Sequence, residues 1–222
     1  MITFQVKYMG VMLLLWMTIL FNCAKDEITF LRYDPSELLP VDTLNGLTAV
    51  GCPDTEYDDW STSPYVLPFP VGRSYMVDLS HCSGSYHSAG QPDQFAIDFH
   101  MSIGELVTAA RDGMVVFVEQ SGEDGSFPNN LVIVKHSDGT FAQYMHLTFG
   151  GALVEVGDRV KAGDEIGISG ATGLAGYPHL HFVVTRPGDF KYPYESMPYN
   201  FRNTEANERS LVSGQEYLAK PY

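Results

Sequence analysis

Gly176-Tyr177-Pro178-His179-Leu180-His181-Phe182-Val183-Val184 is the stretch on which the reading of this chain turns. Phe182, Val183, Val184 and Thr185 are strand formers, because β-branched and aromatic side chains fit a pleated surface. Side chains on a strand alternate faces, so His179 and His181 point the same way, about 7 Å apart along the strand. Two imidazoles converging on one side of a rigid strand suit a metal site, where one ligates and its neighbour shapes the chemistry. Two packed or surface histidines are the plain alternative, and the rest of the chain has to decide between them.

Outward from this stretch the texture is uniform. Phe95–Phe99, Gly113–Val118, Asn130–Lys135, Thr140–His146 and His179–Thr185 are short apolar runs of strand length. Asp112-Gly113, Asp138-Gly139, Gly157-Asp158 and Ala162-Gly163 supply turn signals between them. Regular short strands, glycine turns and no helical period predict an all-β, mostly antiparallel domain. Gly157-Asp158-Arg159-Val160-Lys161-Ala162-Gly163-Asp164-Glu165-Ile166-Gly167 reads as a tight turn between two short strands. The same pattern occurs in biotin- and lipoyl-carrier domains, but Lys161 sits inside the turn and not at a hairpin tip. No repeat of 20–50 residues is visible.

The chain has 222 residues, enough for one domain with a sizeable core and flanking segments. Its 13 Lys+Arg against 27 Asp+Glu give a net charge of -14, which argues against nucleic acid or anionic membrane surfaces as partners. The N-terminus is set apart. An apolar run from Tyr8 to Phe21 is short for a membrane span and right for the core of a signal peptide, assigned to residues 1–22. It ends at Leu20-Phe21-Asn22-Cys23, which resembles a lipobox with Asn22 in place of the usual small residue. Cys23 would then carry lipid and anchor the chain to a membrane in the cell envelope, at the outer membrane or cell surface. Lys25-Asp26-Glu27 resembles a short surface-export signal. Residues 23–62, rich in Asp, Glu, Pro, Thr and Ser, read as a tether, 63–190 as the folded domain, and 191–222 as an extension packed on it. With Cys23 lipidated, Cys52 and Cys82 remain, and one disulfide is the simplest accounting in an exported protein.

Three pieces line up in order: Phe95-Ala96-Ile97-Asp98-Phe99; Tyr144-Met145-His146-Leu147, following His136-Ser137-Asp138-Gly139-Thr140; and Gly170-Ala171-Thr172-Gly173 leading into His179-Leu180-His181. This succession resembles the catalytic domain of the M23 (lysostaphin, LytM-type) zinc endopeptidases, from about Gly90 to Val184. The resemblance implies a barrel-sandwich-like antiparallel fold, bound Zn2+, and cleavage of peptide bonds in peptidoglycan stem peptides or cross-bridges. Residue by residue, it makes Asp98 and His181 metal ligands. It gives His146 and His179 the work of orienting or deprotonating water and stabilising the oxyanion.

One position departs from the family. Four residues before Asp98, where the family has its first histidine ligand, stands Gln94, and a neutral amide oxygen is a poor zinc ligand. His87, on a stretch able to loop back, is the candidate replacement; Gln94 itself, or no third protein ligand, are the alternatives. His81 and His100 are weaker candidates, and His136 reads as a structural histidine bonding the turn backbone. Tyr144 is expected to pack, Asn130 to end a loop, and the loops Gly122–Asn130 and Gly170–Pro178 to wall the site. A rival reading is a non-catalytic M23-like domain that binds and regulates a cell-wall hydrolase. A third is a peptidase acting on proteins other than the wall.

Overall fold

A computed structural model describes residues 51–188 and 190–222. The signal-peptide segment, Cys23 and most of the tether lie outside the described residues. Within them there are eleven strands, one 3-10 turn (Trp60–Thr62) and no α-helix. The strands are β1 (Ser74–Leu79), β2 (Ala96–Phe99), β3 (Leu106–Thr108), β4 (Gly113–Glu119), β5 (Leu131–Lys135), β6 (Phe141–Met145), β7 (Leu147–Ala152), β8 (Arg159–Val160), β9 (Glu165–Ser169), β10 (Leu180–Thr185) and β11 (Glu216–Leu218). Eight form one sheet in the order β11-β1-β2-β10-β6-β5-β4-β8, and β3-β9-β7 form a second. Every ladder is antiparallel, so the all-β expectation holds.

β10 lies at the centre of the large sheet, between β2 and β6, and all six of its residues are buried. Its alternation divides two environments. Leu180, Phe182 and Val184 enter the main core beside Ile97 and Phe99 of β2 and Ala142 and Tyr144 of β6. Each such side chain contributes roughly 1.5–3 kcal/mol by leaving water. On the other face Val183 packs with Ala96 and Tyr194, and Met145 closes the cluster. His181 shares that second face. Tyr144 packs as expected, buried against Phe182 with its hydroxyl accepting from the Ala110 N–H.

Two boundaries differ from the sequence reading. Residues 51–62, assigned to the tether, are docked on the domain. Cys52 is buried and disulfide-bonded to Cys82, Tyr57 meets His81 Nδ1 through its hydroxyl at 3.2 Å, and Arg209 donates to the Cys52 carbonyl. No apolar stripe announces this, because the segment is held by one covalent bond and scattered hydrogen bonds. The tail does more than lie over the domain: β11 pairs with β1 at the sheet edge, and Tyr199, Phe201, Leu211 and Tyr217 belong to the main core.

Candidate metal centre

The antiparallel register fixes the first two groups. His181 on β10 and Asp98 on β2 are direct cross-strand partners, so both side chains rise from the same face. Nδ1 of His181 lies 2.8 Å from Oδ1 of Asp98. His87 arrives from the loop between β1 and β2, and its Nε2 is 3.4 Å from the same oxygen. All three are buried.

Burial alone would raise the Asp98 carboxyl, but His181 and His87 outweigh it and hold Asp98 well below the usual carboxylate range. Burial likewise opposes charge on His181, and Asp93 and Asp98 overcome it, lifting the imidazole to about 10. The pocket thus favours a positive charge between its carboxylates. A proton on His181 supplies it, and a divalent cation would supply it more strongly.

The donor set suits zinc in chemistry and spacing. Two imidazoles and a carboxylate are common zinc ligands, and bonds of 2.0–2.1 Å place tetrahedral ligand atoms about 3.3 Å apart. The ligand atoms of His87, Asp98 and His181 all lie within 4.8 Å of one another. A second triplet, His146, His179 and His181, meets the same limit.

His146 and His179 are fixed alike. His146 Nδ1 donates to the Thr172 carbonyl at 2.7 Å, and His179 Nδ1 donates to the Tyr177 carbonyl at 2.8 Å. A carbonyl can only accept, so the neutral tautomer carries its proton on Nδ1 and leaves Nε2 with a lone pair. Burial, reinforced by the charges of His181 and His179, pushes His146 down to about 3. Burial also lowers His179. His146 has a φ of +66°, uncommon for a residue with a side chain, and its N–H donates to Asn129 Oδ1 at 3.0 Å. The rings of His146 and His179 lie 4.6 Å apart, centroid to centroid.

The other candidates separate cleanly. Gln94 turns away, its Oε1 accepting the Gly90 N–H at 2.8 Å. His81 is buried between Tyr57 and Ser210, and His100 is exposed, pairing with Asp78 at 3.0 Å and stacking on Tyr177. His136 is structural, with Nδ1 donating to the Asp112 carbonyl at 2.8 Å. A hollow of about 640 Å³ beside His136, lined also by Lys135 and Arg159, contains none of the five clustered residues.

The loops predicted as walls are stitched to each other. Asp124 Oδ1 accepts from Ala171 N at 2.6 Å, Gly125 N donates to Ala171 O, and Gly173 N donates to Ser126 O. Asn130 is no mere loop end: it is fully buried, and its side chain bonds Gly122 N, Gly122 O and Thr148 O. A groove of about 270 Å³ starts at Met145, next to His146, and runs between Leu131, Ile133, Phe117, Phe190 and Tyr194. Sequence reasoning quoted Thr172 and Tyr177 within their motifs without a role, because they act through backbone carbonyls, and passed over Asn129 and Asp93, whose side chains act on residues distant in the chain.

The model for Peptidase family M23 matches residues 93–193, a stretch that includes Asp98, His146, His179 and His181 but begins after His87. Glycyl-glycine endopeptidase ALE-1 of Staphylococcus capitis is 42% identical over 91 residues, 40% of this chain and 24% of that protein. Peptidoglycan DD-endopeptidase ShyC of Vibrio cholerae is 35% identical over 96 residues, 43% of this chain and 21% of that protein. A crystal structure described as a zinc containing peptidase from Vibrio cholerae aligns with a TM-score of 0.42 and 27% identity, over 55% of this chain and 37% of that one. The chain spans between about a fifth and a third of the length of these curated relatives and of an uncharacterized metalloprotease from Buchnera aphidicola.

Proposed function

We propose, from the match of residues 93–193 to the model for Peptidase family M23, an exported zinc metalloendopeptidase that hydrolyses peptide bonds of peptidoglycan stem peptides or cross-bridges. One observation carries the reading: His87, Asp98, His146, His179 and His181, drawn from separate parts of the chain, converge as two metal-competent triplets sharing His181. Of the two, His87, Asp98 and His181 is the set we assign to the metal. It includes an anionic ligand, and it leaves the Nε2 lone pairs of His146 and His179 for proton transfer.

Zinc in such a site supplies Lewis acidity toward a peptide carbonyl and makes water a nucleophile near neutral pH. The residues divide the rest. His146 and His179, with Nδ1–H committed to carbonyls, present Nε2 as a base toward the attacking water. The same nitrogen, once protonated, is the acid that serves the leaving amine. Burial keeps both rings uncharged before the reaction, so the lone pair is available. The peptidoglycan substrate rests on relatives such as the DD-endopeptidase above, and the apolar groove beside Met145 offers a bed for a peptide. Export and a lipid anchor on Cys23 are supported by the sequence of residues 8–23 alone.

The test is elemental analysis of the purified full chain, paired with digestion of isolated peptidoglycan and mass spectrometry of the products. About one zinc per chain and peptide-bond cleavage are expected. No zinc and no cleavage would overturn the proposal, and a zinc-free protein that captures a wall hydrolase would return the regulatory reading. Radiolabelled fatty acid should enter the wild type and not Cys23→Ser.

A further inference from the structure

Asp93 lies in the turn before β2 and joins neither triplet among the described residues. Its Oδ1 is 3.4 Å from Nε2 of His181, on the ring edge away from the nitrogen that meets Asp98. The same carboxylate oxygen accepts the hydroxyl of Tyr194 at 2.5 Å. Tyr194 is itself fixed, buried against Ala96 and Val183 on the face that carries His181.

A ligating imidazole has two nitrogens with diverging directions, and the one not on the metal carries a proton that needs a partner. Where that partner is fixed, it selects the tautomer, stops the ring from turning and raises the basicity of the ligand nitrogen. His146 and His179 use backbone carbonyls for this purpose. For His181 the group facing the second nitrogen is a carboxylate.

We infer that Asp93 is a positioning residue of the metal centre, its carboxylate accepting Nε2–H of His181 so that Nδ1 is left to the metal, with the Tyr194 hydroxyl holding Asp93 in place. This rests on the zinc reading above. It also gives the C-terminal segment a part in the centre, because Tyr194 lies one residue beyond the stretch matched by the family. Asp93 cannot share a metal held by Nδ1, since it stands on the opposite edge of the ring.

The experiment compares full-length wild type, Asp93→Asn, Asp93→Ala, Asp93→Glu and Tyr194→Phe for zinc affinity, by competition with a chromophoric chelator. Thermal melts report folding, and the visible spectrum of the cobalt(II)-loaded proteins reports ligand geometry. Asp93→Ala should weaken zinc binding by about 10–100-fold and alter the cobalt spectrum, the range typical for losing the partner of a ligating histidine. Asp93→Asn and Tyr194→Phe should weaken it less, and Asp93→Glu should restore part of the loss. If Asp93→Ala fails to fold, the isosteric Asp93→Asn decides. Wild-type affinity and an unchanged spectrum in folded Asp93 variants would overturn the inference alone. A wild type that takes up no zinc would overturn it together with the reading it rests on.

Discussion

His181 and Asp98 face each other across one rung of the β10–β2 ladder, with Nδ1 and Oδ1 2.8 Å apart. Backbone hydrogen bonds on both sides of this rung set the spacing, so the pair needs no loop to assemble it. Replacing either by Ala should reduce bound zinc from about one per chain to near zero and abolish hydrolysis. Elemental analysis and the digestion assay check this; retained zinc in Asp98→Ala would place the metal elsewhere.

His87 and Gln94 make opposite forecasts. His87→Ala should lower zinc affinity sharply, because its Nε2 faces Asp98. Gln94→Ala should leave affinity within about twofold, because its side chain is bonded to Gly90 and directed away. Chelator competition on the two variants separates the ligand sets.

His146→Ala and His179→Ala should keep zinc and lose roughly 10²–10⁴-fold in kcat, the usual contribution of a positioned acid–base group. Loss of zinc in both variants, with His87→Ala unaffected, would transfer the metal to the all-histidine triplet.

Gly173 holds the rim of the site at φ +73°, and a Cβ there would lie 2.6 Å from the Cβ of Asn129. Asn129 in turn accepts the N–H of His146. Gly173→Ala should destabilise the fold by about 1–3 kcal/mol, read from denaturant unfolding. It should also depress kcat while zinc stays bound. An activity equal to wild type would show that the rim does not steer His146.

His136 gives a stability change with a definite sign. Burial, with Arg111 beside it, lowers its imidazole to about 4, although the Asp112 carbonyl, Asp138 and Asp112 pull the other way. The unfolded chain takes up this proton near pH 6.5, and the folded one does not until about pH 4. Stability therefore falls as pH drops through that window, by up to about 3 kcal/mol, and is unaffected by this group above it. His136→Gln should flatten the difference in unfolding free energy between the two ends of the window by that order. Parallel curves would show that other groups dominate.

Much of this was legible in the residues. His179-Leu180-His181 announces two imidazoles on one face, and the Ala96–Phe99 run announces the strand that carries Asp98. β10, β6, β5 and β2 fall on apolar runs because they form the mostly buried interior of the large sheet, whereas β4 is read from its β-branched and aromatic run although only Val115 of it is buried. β1, β7 and β11 are less visible: only Val77 of β1 is fully buried, β7 contains Gly150-Gly151, and β11 has three residues at an edge. The site divides the same way. His87 could be named as a substitute ligand because a histidine was missing four before Asp98, but Asp93 and Tyr194 meet only after the chain has closed on itself, 101 residues apart.

Cys82 begins the loop that delivers His87; its N–H closes that loop on the Gln94 carbonyl at 2.8 Å, and its sulfur is joined to Cys52. With His87 as the proposed third ligand, the crosslink would govern its effective concentration at a pair that the sheet has already assembled. In the reduced chain, the metal would have to draw in a loop whose base is free on one side, and its affinity would be lower by the entropy of that ordering. Oxidation makes the loop ready beforehand. On the proposed ligand set, the Cys52–Cys82 crosslink would thus tie the thiol status of the chain to how readily His87 reaches the metal.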